Sequence, residues 1–452
     1  MRDTLMKRTD RKSRLLNRDL VLLWQGQTIS QLGIQAYDVA LLLWIKHATG
    51  SATVIGLMLM TAGLTGALLG PIAGTFADRH SRRKIIIASN ALLGIAALSM
   101  GGLMYAAPDA TRLILAGLFA VAVLSAVVGA FIGPAISAAI PDLVPKDKLP
   151  AANSLFQSSI QLSTFFGQGL GGVLFRLVGA PVLILAEGVC YLLSSASASF
   201  VTIPQSLPTR RSTWRAQLAE FKKDLLDGFR HVLRRPGLRN LVLVSAGLNF
   251  FTVPVMILLP FYVEDFLGVR ADWYGFILAA YGAGSLVGFL SAGAVRLSGR
   301  PRFVAMMVCF FTGGAGYVVL GLTRSAELTL ALSALGGVTA GFFIVNLTSI
   351  LQATTPGEIR GRVFALLATI SGSLAPIAMG LTGVVADLVH RDVPLIYLAC
   401  GAATVALCAL AVASRDLRAY LMHERDEVAP VLGRGGGGAT FSPAVAAPPD
   451  GK

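Results

Sequence analysis

Gly74-Thr75-Phe76-Ala77-Asp78-Arg79-His80-Ser81-Arg82-Arg83-Lys84 sets one acid and four bases between two long apolar runs. A helix needs about 20 apolar residues to cross the hydrocarbon core of a bilayer. A knot of charge between two such runs marks where one crossing must stop and the next must start. The stretch therefore belongs at a membrane face.

The chain on either side repeats this grain. Of its 452 residues, 54% are hydrophobic and only 14% charged, with a mean hydropathy of +0.69. Soluble domains carry about 25% charge, so the composition describes an integral membrane protein. In a soluble chain the net charge of +14 would suggest nucleic acid. Here the bases are assigned to cytoplasmic loops, and no nucleic-acid partner is expected. The first apolar run is too long for a signal-peptide core and is expected to be retained.

Twelve apolar runs can be read along the chain. Of the 38 Lys and Arg, 32 fall in the N-terminal segment, the loops after every second run and the C-terminal segment. The other six stand one to a loop: Lys46, Arg112, Arg176, Arg270, Arg324 and Arg391. This asymmetry places both termini in the cytoplasm. The expected fold class is an all-α membrane protein with twelve transmembrane helices in two six-helix pseudo-symmetric bundles. Residues 1–18 form a cytoplasmic segment, 19–203 the first bundle, 204–239 a cytoplasmic linker, 240–414 the second bundle and 415–452 a cytoplasmic tail. In the linker, Trp214, Leu218, Phe221, Leu225 and Phe229 recur at steps of three or four among charged residues. That spacing predicts an amphipathic helix on the cytoplasmic face. Beyond Arg434 the tail turns to Gly, Ala and Pro and reads as disordered.

An internal repeat supports the two bundles. Gly56, Gly63 and Gly74 precede Gly275, Gly282 and Gly293 by 219 residues each, and both sets run into a basic loop. Parallel repeats of this size are a transporter signature.

With this topology, the sequence resembles the major facilitator superfamily, whose loop between spans 2 and 3 reads Gly-x-x-x-Asp-Arg-x-Gly-Arg-Arg/Lys. Gly74, Asp78, Arg79, Arg82 and Arg83 match, and Ser81 replaces the usual glycine. The resemblance implies that Asp78 reaches the positive N-terminal end of span 11 and latches the cytoplasmic side shut, with Arg79, Arg82 and Arg83 completing the network. Gly74 lets a neighbouring helix approach. The plainer reading, a positive-inside loop, explains the arginines but not the acid. Under the 219-residue offset Asp78 faces Leu297, so a one-sided latch is expected. Pro141-Asp142-Leu143-Val144-Pro145 and Pro356-Gly357-Glu358-Ile359-Arg360-Gly361-Arg362-Val363 resemble loops of the branch holding siderophore, macrolide and multidrug exporters. This adds Arg360 and Arg362 to the gate. Ordinary helix starts are the alternative reading of both.

Two helices carry polar stripes: Gln27, Gln31, Gln35 and Asp38 on span 1, and Asn153, Gln157, Gln161 and Gln168 on span 5. Lipid cannot satisfy such groups, so they are expected to face the interior, either lining a cavity or bonding helix to helix. Asp38 and Glu187 are acids deep within spans and at similar depth, which marks them for proton or substrate binding; Glu187 has packing as its alternative. Asn249, Phe250, Phe251, Tyr262 and Asn346 are further candidates for the cavity wall, or for the core. Gln168 stands where exporters of the family often have proline, and span 4 lacks the arginine that many link to proton coupling.

There is no Gly-x4-Gly-Lys-Ser/Thr phosphate loop, the histidines are scattered, and the four cysteines lie in apolar runs. No enzyme activity, cofactor or metal is expected. The expected function is proton-coupled efflux of an amphipathic small molecule (drug, antibiotic or siderophore) by alternating access. The expected partners are the small-molecule substrate, a proton or other coupling ion and the lipid bilayer of a bacterial cell membrane, with the protein acting as a monomer. Import of a metabolite or lipid-like solute, or a non-transporting sensor on the same fold, remain open.

Overall fold

The computed structural model describes residues 16–205, 214–295, 297–355 and 357–422, and among these there is no strand. The helices are α1 Arg18–Thr49, α2 Ala52–Arg79, α3 Arg82–Ala106, α4 Thr111–Leu143, α5 Leu149–Ser199, α6 Trp214–Arg234 and α7 Pro236–Ile257, then α8 Asp272–Ala294, α9 Gly299–Leu322, α10 Ala326–Thr354, α11 Gly357–Leu388, α12 Val393–Ala413 and α13 Arg415–Met422. Ten of them are long and apolar enough to cross a membrane, while α11 contributes a shorter apolar stretch, Ser373–Leu388.

Short polar residues start these helices by accepting their first free N–H groups. Asn17 accepts from Leu20, Ser51 from Val54, Ser325 from Leu328 and Asp392 from Leu395. Ser81 accepts from the Lys84 N–H at 3.4 Å and so caps α3. The departure from the family's glycine has a local physical reason.

At 51 residues α5 would be about 77 Å long, more than twice the bilayer core. It is two helices. Gly179 leaves the helical region at φ 76°, ψ 167°, and Pro181 follows. Both arms pack on α1, in opposite directions. On the first arm Ser159 meets Trp24, Ser163 meets Thr28 and Gln168 meets Gln35. On the second, the contacts run backwards, from Cys190 at Gly33 to Ser197 at Leu22.

The pairings repeat in the two parts of the chain: α2 packs on α4 as α8 packs on α10, and α3 on α5 as α9 on α12. The repeated glycines do equivalent work. Gly56 and Gly63 seat α2 on α11, at Gly383 and Pro376, and Gly275 seats α8 on the backbone of α5 at Gly169. A side chain at Gly56 or Gly275 would strike backbone, so close approach requires glycine there.

The core is not uniform along the bundle. At one end a single buried cluster includes Tyr37, Ile45 and Met58 from before the linker and Tyr262, Ile277 and Tyr397 from after it. At the other end the two parts have separate cores. One holds Leu20, Ile86, Ile140 and Phe156. The other holds Leu241, Phe303, Ile350 and Leu417. Among the described residues, one buried core spans both parts at the Lys46 end, while at the Arg82 end each part has its own and the linker helix touches both α2 and α11.

The linker helix forms as its periodicity predicts and packs on α11, with Val232 buried in the second core. The tail opens with a helix the sequence reading did not specify: Arg415–Met422 is helical, and Leu417 and Leu421 are buried against the bundle. The stretch beyond Arg434, where disorder is predicted, lies outside the described residues.

Candidate functional site

The polar stripes meet near the middle of the bundle. Gln168 of α5 donates to Gln35 of α1 at 2.7 Å. Gln31, Gln35 and Gln161 are half-buried, Asn153 and Gln157 exposed. Gln27 is buried, and its amide nitrogen has no hydrogen-bond partner. Asp38 is exposed, yet lies within electrostatic reach of Glu187 and of Tyr274 on α8, beyond the linker. It therefore faces open space between the two parts. Glu187 is 5% exposed, beside Tyr37, whose buried hydroxyl lacks a partner. No cation among the described residues pairs with either acid. A carboxyl pair without counter-charge at membrane depth is suited to exchanging protons or holding a cationic ligand.

The second part contributes less than its sequence suggests. Asn249 is exposed and its amide donates to the Ser245 carbonyl at 3.1 Å, back into its own helix. Asn346 is buried and does the same to Phe342. Tyr262 is fully buried, donating to the Leu320 carbonyl and stacking on Tyr397, so it builds core rather than wall.

The Lys46 end is tied by polar contacts across the two parts. The Lys46 ammonium, 6% exposed, donates to Glu264 at 2.6 Å, to Asp265 at 2.8 Å and to the Pro260 carbonyl at 3.2 Å. His47 adds a contact to Glu264 at 2.9 Å. Burial alone would raise the Glu264 carboxyl, but hydrogen bonds from His47 and Lys46 and their charges outweigh it and hold the group below its usual range. Arg176 lies 3.4 Å from Asp272. Asp387, at the end of α11, accepts from the Ser51 hydroxyl at 2.6 Å and from the Ala52 and Thr53 N–H groups at 3.1 and 2.9 Å. A carboxylate from one part thus caps the positive N-terminus of a helix in the other.

At the Arg82 end the described contacts stay within one part. Arg82 pairs with Asp142 at the end of α4 and donates to the Ala138 carbonyl at 2.9 Å. Arg83 bonds the Ser199 carbonyl on α5. Arg79 is half-buried at the end of α2. Gly74, Asp78, Arg360 and Arg362 lie outside the residues whose side chains are described. Along α2, Gly56 and Gly63 press against α11, while Gly66 and Gly70 have open space before them.

The whole tie at the Lys46 end escaped sequence reasoning. Its signal was present, because Lys46, Arg176, Arg270 and Arg391 are four of the six bases standing alone in their loops. Their isolation carries topological information, but their partners lie far away in sequence. Asp142, within a proline-flanked helix start, is the partner of Arg82.

The profile described as Major Facilitator Superfamily matches residues 23–379. The chain is 23% identical over 367 residues to macrolide efflux protein A of Streptococcus pyogenes, covering 81% of this chain and 88% of that protein. It is 26% identical over 356 residues to multidrug efflux pump Tap of Mycolicibacterium fortuitum, covering 76% and 83%. Among solved structures, a bacterial homologue of the iron transporter ferroportin aligns with a TM-score of 0.67 at 16% identity, over 87% of this chain and 98% of that one. A bacterial homologue of the lysosomal transporter spinster aligns with a TM-score of 0.64 at 15% identity, over 89% and 96%. Motif, helix pairing and profile agree, and the chain belongs to the major facilitator superfamily.

Proposed function

We propose that this protein exports an amphipathic small molecule from a bacterial cell by alternating access, with protons moving the other way. As a member of its family it is a multi-pass membrane transporter and not an enzyme. The ten apolar helices, the second arm of α5 and α11 make twelve crossings in two bundles of six, 19–203 and 240–414. The charge asymmetry puts both termini and the Arg82 end in the cytoplasm and the Lys46 end outside. The observation that carries the reading is the divided core. A core shared at the Lys46 end and separate among the described residues at the Arg82 end supports a state in which the polar centre is reached from the cytoplasm, the loading state of an exporter. In the alternate state Gly74, Asp78, Arg79, Arg82, Arg83, Arg360 and Arg362 close the cytoplasmic end. Gln31, Gln35, Asp38, Gln157, Gln161 and Asn249 contact substrate, and Asp38 with Glu187 handles protons. Asn346 is left to packing. Efflux by the macrolide and multidrug relatives supports the direction.

Accumulation assays test this. Deleting the gene is expected to raise intracellular drug and sensitivity several-fold, and Asp38→Asn is expected to change the pH dependence or affinity of efflux. Loss of uptake on deletion overturns the export reading; an Asp38→Asn protein unchanged in both respects removes Asp38 from the site.

A further inference from the structure

Within the second bundle, α7, α8, α9 and α10 line a cavity of about 260 Å³. Three glycines shape it. Gly313 and Gly316 on α9 and Gly336 on α10 line it, and a methyl group added at any of them would meet nothing within 4 Å. The first bundle is filled at the matching place. Gly94 and Gly101 seat α3 on α5 as Gly314 and Gly321 seat α9 on α12, a register of 220 residues. In that register Gly313 stands where the first bundle has Leu93, which is buried against Val128 and Tyr191. The cavity is a place where one half of a repeated design has lost side-chain volume.

The lining is mostly apolar, with the hydroxyls of Tyr281, Thr312 and Ser333 as exceptions. Thr252, Thr329 and Thr339 donate to carbonyls of their own helices, and Tyr317 donates to Thr252. A buried water looks for about three hydrogen bonds, and cavities lined by apolar groups stay dry. The volume falls below the roughly 300–1,000 Å³ of pockets that enclose drug-sized ligands. Two of its lining residues are exposed. Val319 on α9 is 38% exposed and Leu335 on α10 is 45% exposed, and both also line the cavity. Val319 continues the exposed apolar row of Val304, Val308 and Phe311, and Leu335 that of Leu328. In helices long and apolar enough to cross a bilayer, such exposed apolar rows are where lipid is expected, so the cavity borders a face suited to acyl chains.

We propose that this cavity takes one acyl chain of a bilayer phospholipid, entering between α9 and α10. A single narrow apolar chain matches a mostly apolar, glycine-lined space bordering that face; a bulky amphipath does not. The test reads lipid and not flux.

The full chain in nanodiscs containing a phospholipid with a diazirine on one acyl chain would be photolysed and the adducts mapped by mass spectrometry. Adducts are expected at Thr252, Tyr281 or Cys309 inside the cavity, as well as at Val308 and Phe311 on the lipid face. Gly316→Leu and Gly336→Leu should reduce the interior adducts at least fivefold and leave those at Val308 and Phe311 unchanged. Gly316→Ala, a smaller step into open space, should give an intermediate loss and serves if the leucine variants fail to fold. Adducts confined to the lipid face of the wild type, or interior adducts undiminished in the filled variants, overturn the proposal.

Discussion

The α2–α11 pair carries an acid near the close of each helix, Asp78 on α2 and Asp387 on α11, one at each end of the pair. At the Lys46 end, the acid that closes α11 sits on the first turn of α2. At the Arg82 end, the acid near the close of α2, Asp78, lies on the side where α11 begins. The 219-residue repeat points to Leu297 as the counterpart of Asp78 and so to a one-sided latch. Helix packing points to Asp387 instead, because α2 and α11 run antiparallel and each can cap the other. A carboxylate at a helix N-terminus contributes about 0.3–2 kcal/mol. Such a clasp is strong enough to bias a gate and weak enough to release it.

The largest effect is expected at Lys46. Removing one member of a buried ion pair costs about 3–5 kcal/mol; with Asp265 half exposed, Lys46→Ala should cost on the order of 2 kcal/mol. At 1.4 kcal/mol per tenfold, that is a roughly 30-fold shift away from the state closed at that end. Spin labels at Ala48 and Val269 should report a longer distance, and an unchanged distribution would break the assignment of that end as a gate.

Asp387→Asn keeps the shape but removes the charge, for about 1 kcal/mol or a fivefold shift. Asp78→Asn should shift the equilibrium as far in the other direction. With a second label pair at Lys84 and Gln352, the two variants must move the ends in opposite senses; movement in the same sense would end the pairing of these acids.

Acid should act in the same direction as Lys46→Ala, more weakly. Glu264 is held below its usual range in the closed arrangement, so its contribution is present at neutral pH and is lost as pH falls into and below the ordinary carboxylate range, about 4. Label distances at the Lys46 end that stay constant from neutral pH down through that range would remove Glu264 from the tie. The smallest effect belongs to Ser81→Gly, which loses a cap hydrogen bond worth a few tenths of a kcal/mol against glycine. Transport should change less than twofold, and a large loss would mean that Ser81 does more than start α3.

Much of this was legible in the residues because hydropathy and charge act locally. The spans, the reversal near Gly179, the linker helix and the shared depth of Asp38 and Glu187 all follow from short stretches. What was not legible depends on partners far apart in sequence. Ser51 and Asp387 are 336 residues apart, and nothing in either neighbourhood names the other. Asn346 and Tyr262 stayed open to two readings for the opposite reason. Their polarity allowed a wall or a core, and their own helix or a neighbouring carbonyl satisfies them.

The capping of α2 also bears on how the protein is made. Ribosomes deliver α2 to the membrane long before α11 exists, so its first turn is inserted with Ser51 alone to cover it. The acid that finishes that turn arrives only after ten more helices have been synthesised. Until then the early bundle carries an uncompensated helix end on the side that must later seal, and a late-translated helix completes one of the first.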